Sequence, residues 1–366
     1  MNERNQSRIG RGKSCLSPGF TLIELLVVVA IIALLISILL PSLNAARSSA
    51  KATKCGTNLA SVGKAVHGYL AENKAVFPLA YVWASDRNGG EDISRQDRVN
   101  GYIHWSYRLF QKGQVKDESF QCPDFDKGGH PRTNPGPNAG LWVEDQIGGE
   151  ASGGGSRPNP DPGSPATYLE DKQAPWMAYT VNSAVMAWNR LGNVQVANPK
   201  FKFVKESDVD NGGRVILAAE FNTNFKVVSR QIGGDGLESI AHRPVRPFSV
   251  AGLGYDEFQA TPNSTVPQYS YHPPGGPDKD YGLLPLSRLE EQSNVLEGTV
   301  RSLNAVGRHH PGGDRLGGSG NFLFVDGHVA RTTILKTLQD RQWGTKYYSM
   351  SGTNNGIPSL DYATIP

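Results

Sequence analysis

Three sets of residues in this 366-residue sequence carry side chains that could do chemistry. His310, Asp326 and His328 offer two imidazoles and a carboxylate, which are reasonable ligands for a metal ion. Asp326 also precedes Gly327 between two apolar segments, and Asp-Gly there is a hairpin signal that needs no metal. A two-residue type I′ turn with positive φ at both positions is therefore predicted, and no metal centre. Cys55 and Cys122 are thiols that could pair or remain separate. Glu24 is the only charge in the apolar run at 20–40, FTLIELLVVVAIIALLISILL. A lone carboxylate at membrane depth is costly unless protonated or paired.

Motifs for other chemistry are missing from the string. It holds no G-x-S-x-G, H-E-x-x-H or G-x-x-x-x-G-K-[ST] sequence. The glycine runs at 152–155 and 312–320 lack the strand-then-helix setting of a phosphate loop. No enzymatic activity and no cofactor is expected.

The elements that must position these residues begin with the apolar run. Residues 25–40 are sixteen in a row without a charge. A helix of about 20 residues rises about 30 Å, the thickness of a bilayer core. The run is apolar on every side, unlike the core-facing helix of a soluble domain. Before it, Arg4, Arg8, Arg11 and Lys13 stand against Glu3 and supply the whole net charge of +3; the remainder of the chain holds 33 residues of each sign. Basic residues stay on the cytoplasmic side, so the bulk of the chain is expected outside. A balanced remainder argues against nucleic-acid binding.

The string Gly19-Phe20-Thr21-Leu22-Ile23-Glu24-Leu25-Leu26-Val27-Val28 resembles the class III signal of type IV pilins and type II secretion pseudopilins. The resemblance implies cleavage by a prepilin peptidase between Gly19 and Phe20 and N-methylation of Phe20. It implies that Glu24 neutralises the Phe20 amine of a neighbouring subunit. It also implies a single-pass protein of the inner (cytoplasmic) membrane with its N-terminus in the cytoplasm before processing. Its partners would then be the peptidase, other pilin or pseudopilin subunits and the assembly platform.

On that basis residues 1–19 form a cleaved leader and 20–41 a transmembrane helix. Residues 42–75 form an amphipathic continuation beyond Pro41, with Cys55, Leu59, Val62 and Val66 at helical spacing. Residues 76–366 form an exterior head. The Gly/Pro/Ser-rich stretch at 126–166 reads as one long flexible loop. Residues 102–109 read as a short helix or strand, and 214–220 as a buried strand.

Residues 54–59 (KCGTNL), Cys122-Pro123, Tyr179, Asn182 and Asp326-Gly327 resemble the large-headed H-x9-DG prepilin-like (DUF1559) proteins. Fifteen residues separate His310 from Asp326 here, so the element at 308–332 is about six residues longer than that pattern. Some pseudopilin heads bind calcium through loop oxygens, but no D-x-[DN]-x-[DN]-G spacing occurs. Cys15 leaves with the leader, so Cys55 and Cys122 are an even number in an oxidising compartment. They either pair, tying helix to head, or Cys55 is a small apolar helix residue and Cys122 is buried apart.

The fold implied is α+β, a long N-terminal helix packed on an antiparallel sheet with long loops. The function implied is a fibre-forming subunit of a pilus or secretion pseudopilus. The alternative is a membrane-anchored exterior protein that binds a glycan or surface polymer and uses the leader only for export.

Overall fold

The computed structural model describes residues 20–86, 88–92, 97–148, 169–188, 202–232, 236–250, 269–273, 278–298 and 300–349. The leader at 1–19 and the most glycine-rich part of the 126–166 stretch lie outside the described residues. The chain divides into one unit reaching Arg47 and a second beginning at Ser48. Helix α1, Leu22–Glu72, supplies residues to both.

In the first unit α1 is apolar all round. None of its most apolar stretch is buried. Residues 22–40 rise about 28 Å at about 1.5 Å per residue, enough to cross a bilayer core. The hydroxyls of this stretch need no water. Ser37 Oγ donates to Leu34 O at 2.7 Å, and Ser42 Oγ to Leu39 O at 2.8 Å. Pro41 lies inside the helix and does not end it.

In the second unit α1 buries Ala52, Cys55, Leu59, Val62, Val66 and Leu70, one face at three- and four-residue spacing. The helix stops at Glu72, three residues short of the expected 75. Lys74 and Ala75 turn into the left-handed region at φ 56° and 59°, and Ala75 N donates to Leu70 O at 2.8 Å. That bond satisfies a carbonyl that the helix end would otherwise leave unpaired.

The central sheet is antiparallel throughout. Its strands are β1 (Tyr179–Val181), β2 (Ile216–Glu220), β3 (His310–Asp314), β4 (Gly317–Phe324) and β5 (Val329–Thr332). Their order is β3-β4-β2-β1, with β5 also paired to β4. Strand alternation sends Asn321 and Leu323 to the α1 side and Phe322 to the other. Asn321 Nδ2 donates to Ala52 O at 3.1 Å. A Cβ placed on Gly63 would meet Leu323 Cδ1 at 2.7 Å, so the small residue is what lets α1 approach β4. On the far face Phe322 meets Trp343 edge-on at 6.2 Å. The architecture is α+β and pilin-like.

Three sequence readings need correction. Residues 126–148 are not a free loop: His130-Pro131 pairs with Trp176-Met177, and Thr133, Asn134 and Gln146 are buried. Their side chains are satisfied at a distance. Thr133 Oγ1 donates to Ser239 O at 2.6 Å, and Gln146 Nε2 to Arg132 O at 2.8 Å. Residues 102–109 are neither helix nor strand alone: Tyr102–His104 is a strand, and Trp105–Gln111 is helix α2, capped by His104.

The Asp-Gly hairpin between β4 and β5 is real, but its turn differs. Phe324 N bonds His328 O at 2.9 Å and Gly327 N bonds Phe324 O at 3.0 Å, which makes a three-residue loop. Gly327 takes the left-handed position at φ 92°, while Asp326 is not at positive φ. This is a turn followed by a glycine bulge. Asp326 Oδ1 accepts from His328 N at 3.1 Å, which favours that turn over type I′. Gly327→Ala should therefore cost about 1–2 kcal/mol from left-handed strain alone. Its Cβ would also come 3.0 Å from His67 Nε2. Chemical denaturation of the Ala variant checks this; an unchanged midpoint would contradict it.

Candidate functional site

The first unit carries its chemistry at the start of α1. Thr21 precedes the helix and Glu24 is its third residue. Thr21 N and Thr21 Oγ1 both donate to Glu24 Oε2 at 2.8 Å, and Glu24 N donates to Thr21 Oγ1 at 3.3 Å. This reciprocal pairing is a capping box. It fixes the carboxylate against the helix N-terminus, where the macrodipole favours negative charge. A carboxylate has about four acceptor sites, so Glu24 can hold Thr21 and still take a cation. Phe20 beside it is 71% exposed.

The second unit carries a denser cluster where α1 meets the head. Cys55 and Cys122 form a disulfide, with Sγ–Sγ 2.08 Å and Cα–Cα 4.8 Å. The surrounding residues set the joint. Asn58 Nδ2 donates to Gln121 O at 2.8 Å. The Tyr179 hydroxyl lies 2.9 Å from Cys55 O and 3.2 Å from Gln121 O. Burial pushes the Tyr179 phenol well above its usual range, so it stays a donor. Asn182, directly after β1, ties β2 to the Trp343 segment. Its Nδ2 donates to Ile216 O at 2.8 Å and to Trp343 O at 3.1 Å.

Behind the disulfide lies a buried cluster of polar side chains. The Glu220 side chain, at the end of β2, has no solvent exposure. Its Oε2 accepts from Asn321 N at 2.7 Å, and its Oε1 accepts from Asn321 Nδ2 at 2.8 Å. His310 Nε2 lies 2.9 Å from Glu220 Oε1, with both side chains fully buried. Facing a carboxylate, this nitrogen carries a proton. The other nitrogen, Nδ1, is 2.9 Å from Asp124 Oδ2. That is ion-pair distance but outside hydrogen-bond alignment, so His310 Nδ1 is buried without a hydrogen bond. Asp124 reaches outward to Lys51 at 3.1 Å. The adjacent His309 has Nε2 3.9 Å from Cys122 Sγ. Burial brings His309 down to about 4, so it is neutral near pH 7.

The structure separates the sequence-predicted ligands. His310 stands opposite Ser319 near one end of β4, while Asp326 and His328 follow the other end. Roughly 20 Å of strand lies between them, at about 3.3 Å per residue. They form no common metal centre. Asp326 instead serves its own turn, with Oδ1 2.6 Å from His328 Nδ1. Burial raises the Asp326 carboxyl, but the His328 backbone N–H and imidazole outweigh it and hold it below its usual range. The residues that do converge on His310 are Asp124 and Glu220, neither assigned a role from sequence. The available signal was Glu220 itself, an acid closing the apolar run at 215–219, because buried acids are rare unless paired.

Residues 17–40 match the prokaryotic N-terminal methylation motif. The chain is also 35% identical over 83 residues to "Prepilin peptidase-dependent protein A" of Clostridium perfringens (strain 13 / Type A). The match covers 23% of this chain and 59% of that relative's length. No solved structure matches.

Proposed function

We propose that this prepilin-type protein is cut between Gly19 and Phe20, methylated on Phe20, and assembled through its apolar helix into a pilus-like or pseudopilus fibre. The observation that carries the reading is the methylation motif at residues 17–40, which spans the cleavage point and the whole apolar run at 20–40. The relative's printed name, which makes it dependent on prepilin peptidase, supports processing of this chain by the same kind of enzyme. The membrane-spanning length and composition of α1 support an anchor. The basic residues before it support an orientation with the head outside the cytoplasmic membrane.

In this reading the head is a non-enzymatic module. Cleavage leaves Phe20 as a free, methylated amine four residues before Glu24. In a helix bundle at membrane depth, that cation and a neighbour's carboxylate each remove the cost of leaving the other unpaired. Thr21 holds Glu24 in place for this pairing. The head residues Cys55, Asn58, Cys122 and Tyr179 meet at one joint, which supports grouping the chain with the H-x9-DG prepilin-like proteins.

Glu24→Ala tests assembly separately from insertion. Removing a charge makes the anchor more apolar, so membrane recovery should be unchanged. The protein recovered in sheared fibres should fall at least tenfold, the equivalent of losing about 1.4 kcal/mol per contact. Normal fibre recovery of the variant would refute the role of Glu24 in assembly, and a wild-type protein that is monomeric in the membrane would refute assembly itself. The monomeric result would favour an anchored exterior binding protein.

A further inference from the structure

We propose that the Cys55–Cys122 joint is a second kind of site: when its disulfide is reduced, Cys55, Cys122, His310 and Asp124 bind one thiophilic divalent cation of the zinc class. The site lies within the second unit, where α1 meets the head, and is independent of fibre formation.

The first observation is convergence. One ligand atom from each of these four residues lies within 4.8 Å of the others. Two sulfurs, one imidazole nitrogen and one carboxylate oxygen are a donor set that suits tetrahedral zinc, at about 2.3 Å for sulfur and about 2.0–2.2 Å for nitrogen and oxygen. Breaking the S–S bond frees the sulfurs to part around a cation, while Asn58 and Tyr179 still hold α1 against the Gln121 segment.

The second observation is His310. Its Nδ1 is fully buried, lacks an aligned hydrogen bond, and lies on the Asp124 side. Its Nε2 is held by Glu220. A carboxylate behind the imidazole is the arrangement that fixes the tautomer of a metal-ligating histidine and raises its basicity. Glu220 is itself held by both nitrogens of Asn321, so the ring cannot rotate freely. Two thiolates and the Asp124 carboxylate exceed a divalent charge by one, and Lys51 beside Asp124 offsets that excess. An open groove lined by Lys54, Asn58, Gln121, Pro123 and Phe125 reaches the joint at Cys122.

The chemistry balances in two steps. A dithiol reductant gives two electrons and two protons to the disulfide; the S–S bond breaks, two S–H bonds form, and the reductant becomes a disulfide. The cation then displaces both thiol protons to solvent and forms two metal–sulfur bonds.

The test uses the full chain in detergent. One sample is kept oxidised; the other is reduced with dithiothreitol and freed of it by gel filtration under nitrogen. Each is titrated with cobalt(II), whose thiolate charge-transfer and tetrahedral bands report the ligand set, and zinc stoichiometry is read by native mass spectrometry. The expected result is one cation per reduced chain and none per oxidised chain. Glu220→Gln should weaken cobalt binding about 10- to 100-fold, and His310→Gln should change the band pattern. Circular dichroism of the reduced wild type shows whether the head is still folded, independently of any variant. A folded, reduced chain that binds no cation would overturn the proposal, as would equal binding by the oxidised chain or by a chain with both cysteines replaced by alanine.

Discussion

Glu220→Ala should destabilise the head by about 3–5 kcal/mol, because three buried donors lose their acceptor at once. The loss comes from the groups left behind. His310 Nε2, Asn321 N and Asn321 Nδ2 all direct protons at the missing carboxylate. Each buried donor left without an acceptor costs about 1–3 kcal/mol when water cannot reach it. The damage also reaches α1, because the same Asn321 amide donates to Ala52 O. Glu220→Gln keeps an acceptor oxygen and should lose distinctly less. Thermal unfolding followed by near-ultraviolet circular dichroism separates the two. Equal, small losses for both variants would mean that the cluster contributes little.

Replacing both Cys55 and Cys122 with alanine should cost about 2–4 kcal/mol. The bridge joins residues 67 positions apart. The chain-entropy relation gives about 4 kcal/mol for a loop of that length, and measured values run lower. The unfolded chain then regains the freedom to separate α1 from the Gln121 segment. Reducing the wild-type chain in the presence of a chelator should reproduce the variant's loss. Addition of zinc to the reduced wild type should recover part of it, because a cation bound only by the folded chain shifts the unfolding equilibrium. A double variant as stable as the wild type would show that hydrogen bonds such as Asn58 to Gln121 suffice at this joint.

The features legible in the sequence were local ones. The apolar run declares itself by length, and the inner face of α1 by spacing, because both signals sit within one helix. Residues 214–220 read as a buried strand, and Ile216–Glu220 is one. Asp326-Gly327 announces a hairpin, but the choice between two- and three-residue loops depends on which hydrogen bonds Asp326 makes. The segment at 126–148 looks like loop because its composition is that of loops. It is nonetheless buried, since Thr133 and Asn134 find partners 106 and 37 positions away. Glu220 is the clearest case. Its burial is compensated by residues 90 and 101 positions along the chain, and no local pattern encodes that. His310 is visible in the sequence as a candidate ligand, but its companion in space is the distant Asp124 and not the nearer Asp326 and His328.

Cleavage and methylation at Phe20 are the central claim of the proposed function, and intact mass with N-terminal sequencing of the protein isolated from native membranes tests it most directly. The expected product is a chain that begins at Phe20 and carries one methyl group on its amine. A membrane-extracted chain that retains residues 1–19, or that begins at any other position, would contradict it.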